Sequence, residues 1–387
     1  MRIIVAPDSF KGSLTAAEVC AAICSGVASG LGSAPKNFPE IEIISVPMAD
    51  GGEGTARSLI DGLGGEMVSF EVSGPLGRPV VAEYGLTHGG TAVIEMAQAS
   101  GLPLLAEGER DPLAASTFGT GELVLDALDR GAREYIIGIG GSATNDGGTG
   151  MATALGYKFL GEDGAELPQG GGALTRLARI DASGADSRLA ECRFTVACDV
   201  DNPLLGERGA SAVFGPQKGA TPEMVTVLDR GLARLADCVR TDLGKDVADI
   251  PGAGAAGGLG AGSIAFLGAE LKRGVDIVID VTGLAEKLKG ASLLITGEGC
   301  TDIQTLSGKT VHGVAMLAKS LGVPVVVISG SLAAGCEELL GCGVVKLYAL
   351  MEDGVGLDEA MRDGAALLEK RAERAILEFI SGERNHQ

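Results

Sequence analysis

Thirteen residues near the middle of the chain, 138–150, read Gly-Ile-Gly-Gly-Ser-Ala-Thr-Asn-Asp-Gly-Gly-Thr-Gly, and six of them are glycine. Tyr135, Ile136 and Ile137 lead into this run as a β-prone stretch, and residues 151–155 carry a helical pattern. Glycine at that density reaches backbone conformations closed to other residues and lets a ligand approach main-chain N–H groups without Cβ interference. A helix start beyond such a loop adds free donors and a positive dipole end, which suit phosphate. Ser142, Thr144, Asn145 and Asp146 put hydroxyl, amide and carboxylate groups in the same loop. A tight surface connection would read the same way. Over the whole chain glycine reaches 62 of 387 residues, without collagen's period and scattered among β-branched and Ala-rich runs. An α/β protein with many tight strand-to-helix turns is expected.

Periodicity supports that class. Residues 2–6 read as a strand, followed by a helix in which Thr15 and Glu18 are spaced as a capping box and Val19, Ala22, Ile23 and Val27 share one face. Residues 42–46, 292–296, 323–329 and 344–350 are further strands, with helices expected over 53–61, 309–320 and 357–380. This alternation is the mark of a parallel sheet covered by helices. The middle differs: residues 67–72 alternate in polarity, and a Gly-Pro-Leu-Gly-Arg-Pro turn leads to an antiparallel partner over 80–84. Residues 193–200 are another strand. A long helix starts at Thr221-Pro222-Glu223 and ends at Gly244, its stripe of Val225, Leu228, Leu232, Leu235 and Val239 being core packing. Residues 250–262, rich in Gly and Ala, fit either a mobile loop or a helix packed at close range. The expected division is a discontinuous parallel α/β domain over 1–63 plus 290–387, with a mixed α/β domain over 64–289 inserted between.

Charge and composition exclude several functions. Formal net charge is −20 with no basic run to offset it, which disfavours nucleic acid and anionic membranes as partners. No stretch approaches 18 uninterrupted apolar residues. The eight cysteines contain no CxxC pair, so reduced thiols and a cytoplasmic location are expected, in line with opening residues that lack a signal-peptide core. With only His88, His312 and His386, a His-centred triad or His-rich metal site is disfavoured.

Ligands of parallel α/β sheets bind beyond the carboxyl ends of the strands. The polar runs of this chain fall at those ends: Asp8-Ser9-Phe10-Lys11-Gly12-Ser13 after the first strand, Asp50-Gly51-Gly52-Glu53-Gly54 after the second, and Gly297-Glu298-Gly299-Cys300-Thr301-Asp302, then Gly308-Lys309-Thr310, after the third. Asp8, Lys11, Asp50, Glu298, Asp302 and Lys309 are therefore expected to converge. The inserted domain adds the 138–150 loop, Asp199-Val200-Asp201-Asn202 past a strand, and Lys218; the aspartates also fit an Asx turn, and Lys218 a solvated turn. Gly308-Lys309-Thr310 ends like a P-loop, but Ile303 stands where its first glycine belongs. What remains, carboxylates, a few lysines and glycine-rich loops, is the equipment of phosphoryl transfer: N–H donors and lysine for the phosphoryl oxygens, carboxylates for Mg²⁺ and for a hydroxyl proton. A cleft between two domains would close to exclude water.

At these motifs the chain resembles the class I glycerate kinases of bacteria. The matching runs are Val5-Ala6-Pro7-Asp8-Ser9-Phe10-Lys11-Gly12-Ser13, Ala49-Asp50-Gly51-Gly52-Glu53-Gly54-Thr55, residues 139–148, Ala197-Cys198-Asp199-Val200-Asp201-Asn202-Pro203-Leu204 and Thr296-Gly297-Glu298-Gly299, in order over almost the whole length. The resemblance implies ATP-dependent phosphorylation of D-glycerate, at the 2-hydroxyl in preference to the 3-hydroxyl. It also implies a flavodoxin-like domain interrupted by a larger α/β domain, with the active site in the interdomain cleft. One departure is Cys300, where the family shows Arg; this loses a guanidinium fork suited to carboxylate or phosphate. Either Lys309 or another cation compensates, or substrate preference has shifted.

The expected roles follow. Lys11 neutralises the transferred phosphoryl, and Asp199 or Asp8 deprotonates the hydroxyl. Asp50 and Asp302 serve Mg²⁺, which retains water and takes few protein carboxylates. Ser9, Gly140, Gly141, Ser142, Asn145, Asp146, Asn202, Lys218, Glu298 and Lys309 bind phosphates or the glycerate carboxylate. Two other classes stay open: a nicotinamide-dependent hydroxy-acid dehydrogenase and a catalytically silent solute-binding protein. Oligomeric state is not legible.

Overall fold

A computed structural model of the chain describes residues 1–32 and 41–383, so His386 lies outside the described residues. By internal contacts the chain forms two compact units, one of Met1–Asp50, Asp61–Leu63 and the chain from Val275 onward, the other of Gly51–Ile60 and Gly64–Gly274. The chain thus crosses at 50/51, 60/61, 63/64 and 274/275: residues 51–60 leave the first unit ahead of the expected 63/64 crossing, and the return falls at 274/275 in place of the expected 289/290. Side-chain packing accounts for the second difference. Val275 lies against Gly313, and Val275, Leu284 and Leu288 are fully buried, which ties residues 275–288 to the first unit.

The first unit is built on five parallel strands, β1 (Arg2–Val5), β2 (Glu42–Ser45), β3 (Leu293–Thr296), β4 (Val325–Ser329) and β5 (Val344–Ala349), in the order β2-β1-β3-β4-β5. That order is the flavodoxin-like one, and its switch point lies between β1 and β3. Strand β3 is buried along its whole length and reads as an unbroken apolar run ending in threonine, as a central parallel strand must. One sheet face is covered by the helices Ala16–Gly32 and Gly364–Glu383. The capping box forms: Thr15 N–H donates to Glu18 Oε2 (2.8 Å), and Glu18 N–H to Thr15 Oγ1 (3.3 Å). The two helices approach through glycine, because a Cβ on Gly26 would stand 2.0 Å from Glu369 O. The single helix expected over 357–380 is two, Leu357–Arg362 and Gly364–Glu383. Ser13 Oγ donates to Met361 O, taking up a carbonyl at the break.

The second unit holds a six-stranded mixed sheet. Gly65–Ser73 and Pro79–Thr87 form an antiparallel pair, Thr91–Glu95 joins antiparallel to the latter, and Glu134–Gly138, Arg193–Ala197 and Glu270–Lys272 extend it in parallel. The helix Pro222–Leu243 runs from a Thr221 cap to Gly244 in the left-handed region, with Leu228, Leu232, Leu235 and Val239 buried. Residues 255–262 are close-packed but not one continuous helix: Ala256, Gly257 and Gly258 lie in the left-handed region and kink the segment, and helical backbone resumes at Leu259. Among the described residues no helix is long and apolar enough to cross a membrane, and the eight cysteines are unpaired.

Candidate active site

In the first unit the carboxyl ends of β1 and β3 are tied together: Asp8 N–H donates to Gly297 O (2.9 Å) and Thr296 Oγ1 to Ala6 O (2.8 Å). The two chains then diverge around a cavity of about 380 Å³. Asp8, Ser9, Lys11, Asp50, Glu298 and Lys309 all line it, so six of the residues expected to matter share one pocket at the switch point. Asp8 is its best-held group. Ser9 N–H donates to Asp8 Oδ1 (2.7 Å) and the Thr310 hydroxyl to Oδ2 (2.5 Å). Burial raises the carboxyl from its ordinary 3.8 to about 6, the Thr310 hydrogen bond opposes this, and the neighbouring Asp50 charge adds to it. Glu298 is also raised, chiefly by burial. Its Oε1 accepts from Thr305 (2.7 Å) and Thr301 (3.1 Å), and the Lys309 charge lowers it again.

Asp302 departs from the expectation. Its Oδ1 accepts from Gln304 N–H (2.8 Å) and Thr305 N–H (3.3 Å), capping the short helix Ile303–Ser307, and it does not line the pocket with Asp8 and Asp50. Among the described residues no group of three or more His, Cys, Asp or Glu side chains is placed to hold a metal. The Asp50 carboxylate, which lines the same pocket as Asp8, nonetheless matches a hard cation that keeps most of its water. Cys300 lines the same pocket as Lys309 and is exposed.

The glycine-rich loop of the second unit corrects the expectation in a different way. Only Gly140 and Gly141 are exposed; the polar side chains point inward. Asp146 is fully buried, and four donors converge on its carboxylate: Thr117 N–H and Oγ1 (2.8 Å each), Gly148 N–H and Gly150 N–H (3.1 Å each). It therefore caps the six-residue helix Thr149–Ala154 from within and takes the donors that a phosphate would have used. Asn145 Nδ2 donates to Ser211 Oγ (3.0 Å) in the interior. Lys218, expected at a ligand, is 1% exposed; its ammonium donates to Ser142 Oγ and Thr144 O at 2.7 Å each. Burial pushes that lysine down to about 7, with the Asp146 charge acting in the opposite sense. Asp199 is exposed at the end of the Arg193–Ala197 strand and Oδ1 accepts from Gly274 N–H (3.1 Å), while Asn202 Nδ2 donates to Arg208 O (2.7 Å).

Sequence reasoning passed over several residues. Thr310 was seen only as the end of a failed P-loop, and its place as first residue of the helix Thr310–Ser320 was the available signal. Glu95, buried, accepts from Gly54 N–H (3.2 Å) and Ala56 N–H (2.9 Å) and so fixes the turn over 51–56; a lone carboxylate ending an apolar strand could have flagged it. The apolar wall of the first-unit pocket, including Leu350, Met351, Leu357 and Met361, gave no sequence signal beyond apolar residues on an otherwise polar helix.

A flavodoxin-like parallel sheet with carboxylates and lysines at its switch point defines an α/β protein built to bind a small charged molecule. Comparison with known proteins narrows this. The model of the glycerate kinase family matches residues 3–380. A glycerate kinase of Halalkalibacterium halodurans is 52% identical over 371 residues, covering 96% of each chain. A glycerate 2-kinase of Escherichia coli is 48% identical over 363 residues, covering 94% of this chain and 93% of that one. A crystal structure from Salmonella typhimurium LT2, proposed to be a glycerate kinase 2, superposes with a TM-score of 0.90 at 45% identity and covers 99% of both chains. The chain belongs to the glycerate kinase family, and it is a kinase.

Proposed function

We propose that this enzyme transfers the γ-phosphoryl group of ATP to the 2-hydroxyl of D-glycerate, giving 2-phosphoglycerate, as a cytoplasmic enzyme. The observation that carries the reading is the Asp8 carboxyl, held near neutrality in a pocket it shares with Lys11 and Lys309. A carboxylate whose pKa lies near the working pH is suited to accept a hydroxyl proton as the bond to phosphorus forms. Asp8 is preferred to Asp199 as that base because two donors fix both of its oxygens in place. Lys11 and Lys309 supply positive charge for the phosphoryl oxygens in the transition state. Asp50 would hold Mg²⁺ through oxygen, and the ion would neutralise phosphate charge when bound. On the second unit the exposed backbone of Gly140 and Gly141 is the part that faces outward and suits a carboxylate or phosphate.

The test is to incubate the protein with Mg-ATP and D-glycerate and identify the product by ³¹P and ¹³C NMR. A single 2-phosphoglycerate signal with ADP is expected. A 3-phosphoglycerate signal would overturn the regiochemistry, and no glycerate-dependent ADP would overturn the reading itself.

A further inference from the structure

The first-unit pocket is longer than a three-carbon acid needs, and its chemistry changes along its length. Asp8 follows β1, Glu298 follows β3, Gly330 and Ser331 follow β4, and Leu350 and Met351 follow β5. With Asp50 following β2, residues lining one cavity therefore span all five strands, four spacings or about 19 Å at the sheet edge. All the charged lining residues belong to the β1, β2 and β3 loops. Over β4 and β5 the wall is Leu350 and Met351 with the Ser331 hydroxyl beside it, and the helix Leu357–Arg362 adds Leu357, Ala360 and Met361, the last lying against Gly12 of the loop after β1. Three of these are large apolar side chains left open to water: Met351 at 38%, Met361 at 41% and Leu357 at 60% exposure. Leu357 and Met361 stand four apart on the helix Leu357–Arg362, so they share a face.

We infer that this apolar end is the seat of the nucleotide's purine base, with the phosphate chain running across β4 and β3 toward Lys309, Lys11 and Asp8. The inference rests on the proposed use of ATP and adds where the nucleotide lies. Glycerate has no apolar surface to cover these side chains, whereas a flat aromatic base does. Two methionines supply the adaptable, polarizable contact that such a ring accepts. Anionic phosphate goes to the end that holds both lysines, and the uncharged base goes to the end with no carboxylate. Cys300 lines the same pocket, so a nucleotide seated there would restrict access to its thiol.

The experiment is calorimetric titration with ADP, and separately with inorganic tripolyphosphate, of the wild-type protein and of the Leu357→Gln/Met361→Gln double variant. Both substituted side chains are exposed, so folding is retained, and circular dichroism checks it. ADP affinity and the KM for ATP are expected to weaken tenfold or more, while tripolyphosphate affinity and the KM for D-glycerate stay within twofold. ADP is also expected to slow alkylation of Cys300 by iodoacetamide. Glycerate-dependent ATP turnover with an unmoved KM for ATP in the double variant would overturn the base site and leave the kinase reading intact. A change of molecular mass in light scattering with that KM unmoved would make the wall a contact between copies, and also overturn it. Absence of turnover in the wild type would instead strike the kinase reading.

Discussion

Asp8→Asn separates the tuning of Asp8 from its mere presence. The substitution keeps the shape, lets Oδ1 accept from Ser9 N–H, and offers an amide where the Thr310 hydroxyl can serve as acceptor. The carboxyl's rise from 3.8 to about 6 disfavours the carboxylate by roughly 3 kcal/mol, at about 1.4 kcal/mol per pH unit. In the folded chain Asp8 keeps its proton up to about pH 6, whereas the unfolded chain releases it near 3.8. Between those values the folded state binds more protons, so the contribution to stability is greatest at low pH and falls as pH rises through this window. From pH 4 to pH 7 the loss due to this one group is about 2 kcal/mol, and the Asn variant lacks it. Urea unfolding of both proteins at several pH values should show their stability curves converging toward pH 4 and parting by about that amount at pH 7, with the variant the more stable. Activity should move the other way: kcat falls by about 100-fold or more in the variant. In the wild type kcat/KM should fall tenfold per pH unit below about 6. Asp50→Asn removes the like charge beside Asp8, so that acid limb should shift to lower pH. Parallel stability curves for wild type and Asp8→Asn, together with near-normal kcat in the variant, would refute both the perturbed carboxyl and its role as base.

Lys218→Met keeps the buried stem and removes the ammonium. Because the folded chain sheds the Lys218 proton at about 7 and the unfolded chain holds it to 10.5, wild-type stability should gain on the order of 3 kcal/mol between pH 7 and pH 10 relative to the variant; equal pH dependence in denaturant melts would contradict the burial argument. Gly257→Ala places a Cβ 2.0 Å from Thr144 O at φ +67°, and should cost about 3 kcal/mol or more, lowering Tm by roughly 6–12 °C; an unchanged Tm in calorimetry would mean that this contact is not as tight as described.

What could be read in advance was whatever depends on neighbours in sequence. The Thr15–Glu18 box, the Thr221 and Gly244 helix ends and the apolar parallel strands all follow from spacings of a few residues. So did the convergence of Asp8, Asp50 and Glu298, because strands that run parallel must put their following loops on one edge. What could not be read was the partner of each polar group. Lys218 lies 76 residues from Ser142, and nothing local tells a buried lysine from a solvated one. Asp302 looked like the other loop aspartates until Gln304 and Thr305 took its oxygen. The break at Asp363 is likewise a tertiary effect, since Ser13 reaches Met361 O from the far end of the chain.

The glycine-rich loop carries the remaining lesson. Its glycines suggested room for a ligand, yet much of that room is occupied by the protein itself. A Cβ on Gly257 would meet Thr144 O at 2.0 Å and one on Gly262 would meet Gly147 O at 2.3 Å, so residues 255–262 and 144–147 pack backbone to backbone. Such packing leaves no space for outward-turned side chains on that stretch, and Asp146, Asn145 and Ser142 turn inward to meet donors and acceptors there. Glycine is thus required on both faces of the contact, and the loop's polar residues are spent on holding its shape. Only Gly140 and Gly141 are left outside, and neither has a side chain. Any ligand bound by this loop must therefore be bound by main chain, and substitutions at Ser142 or Lys218 act on it by moving that backbone.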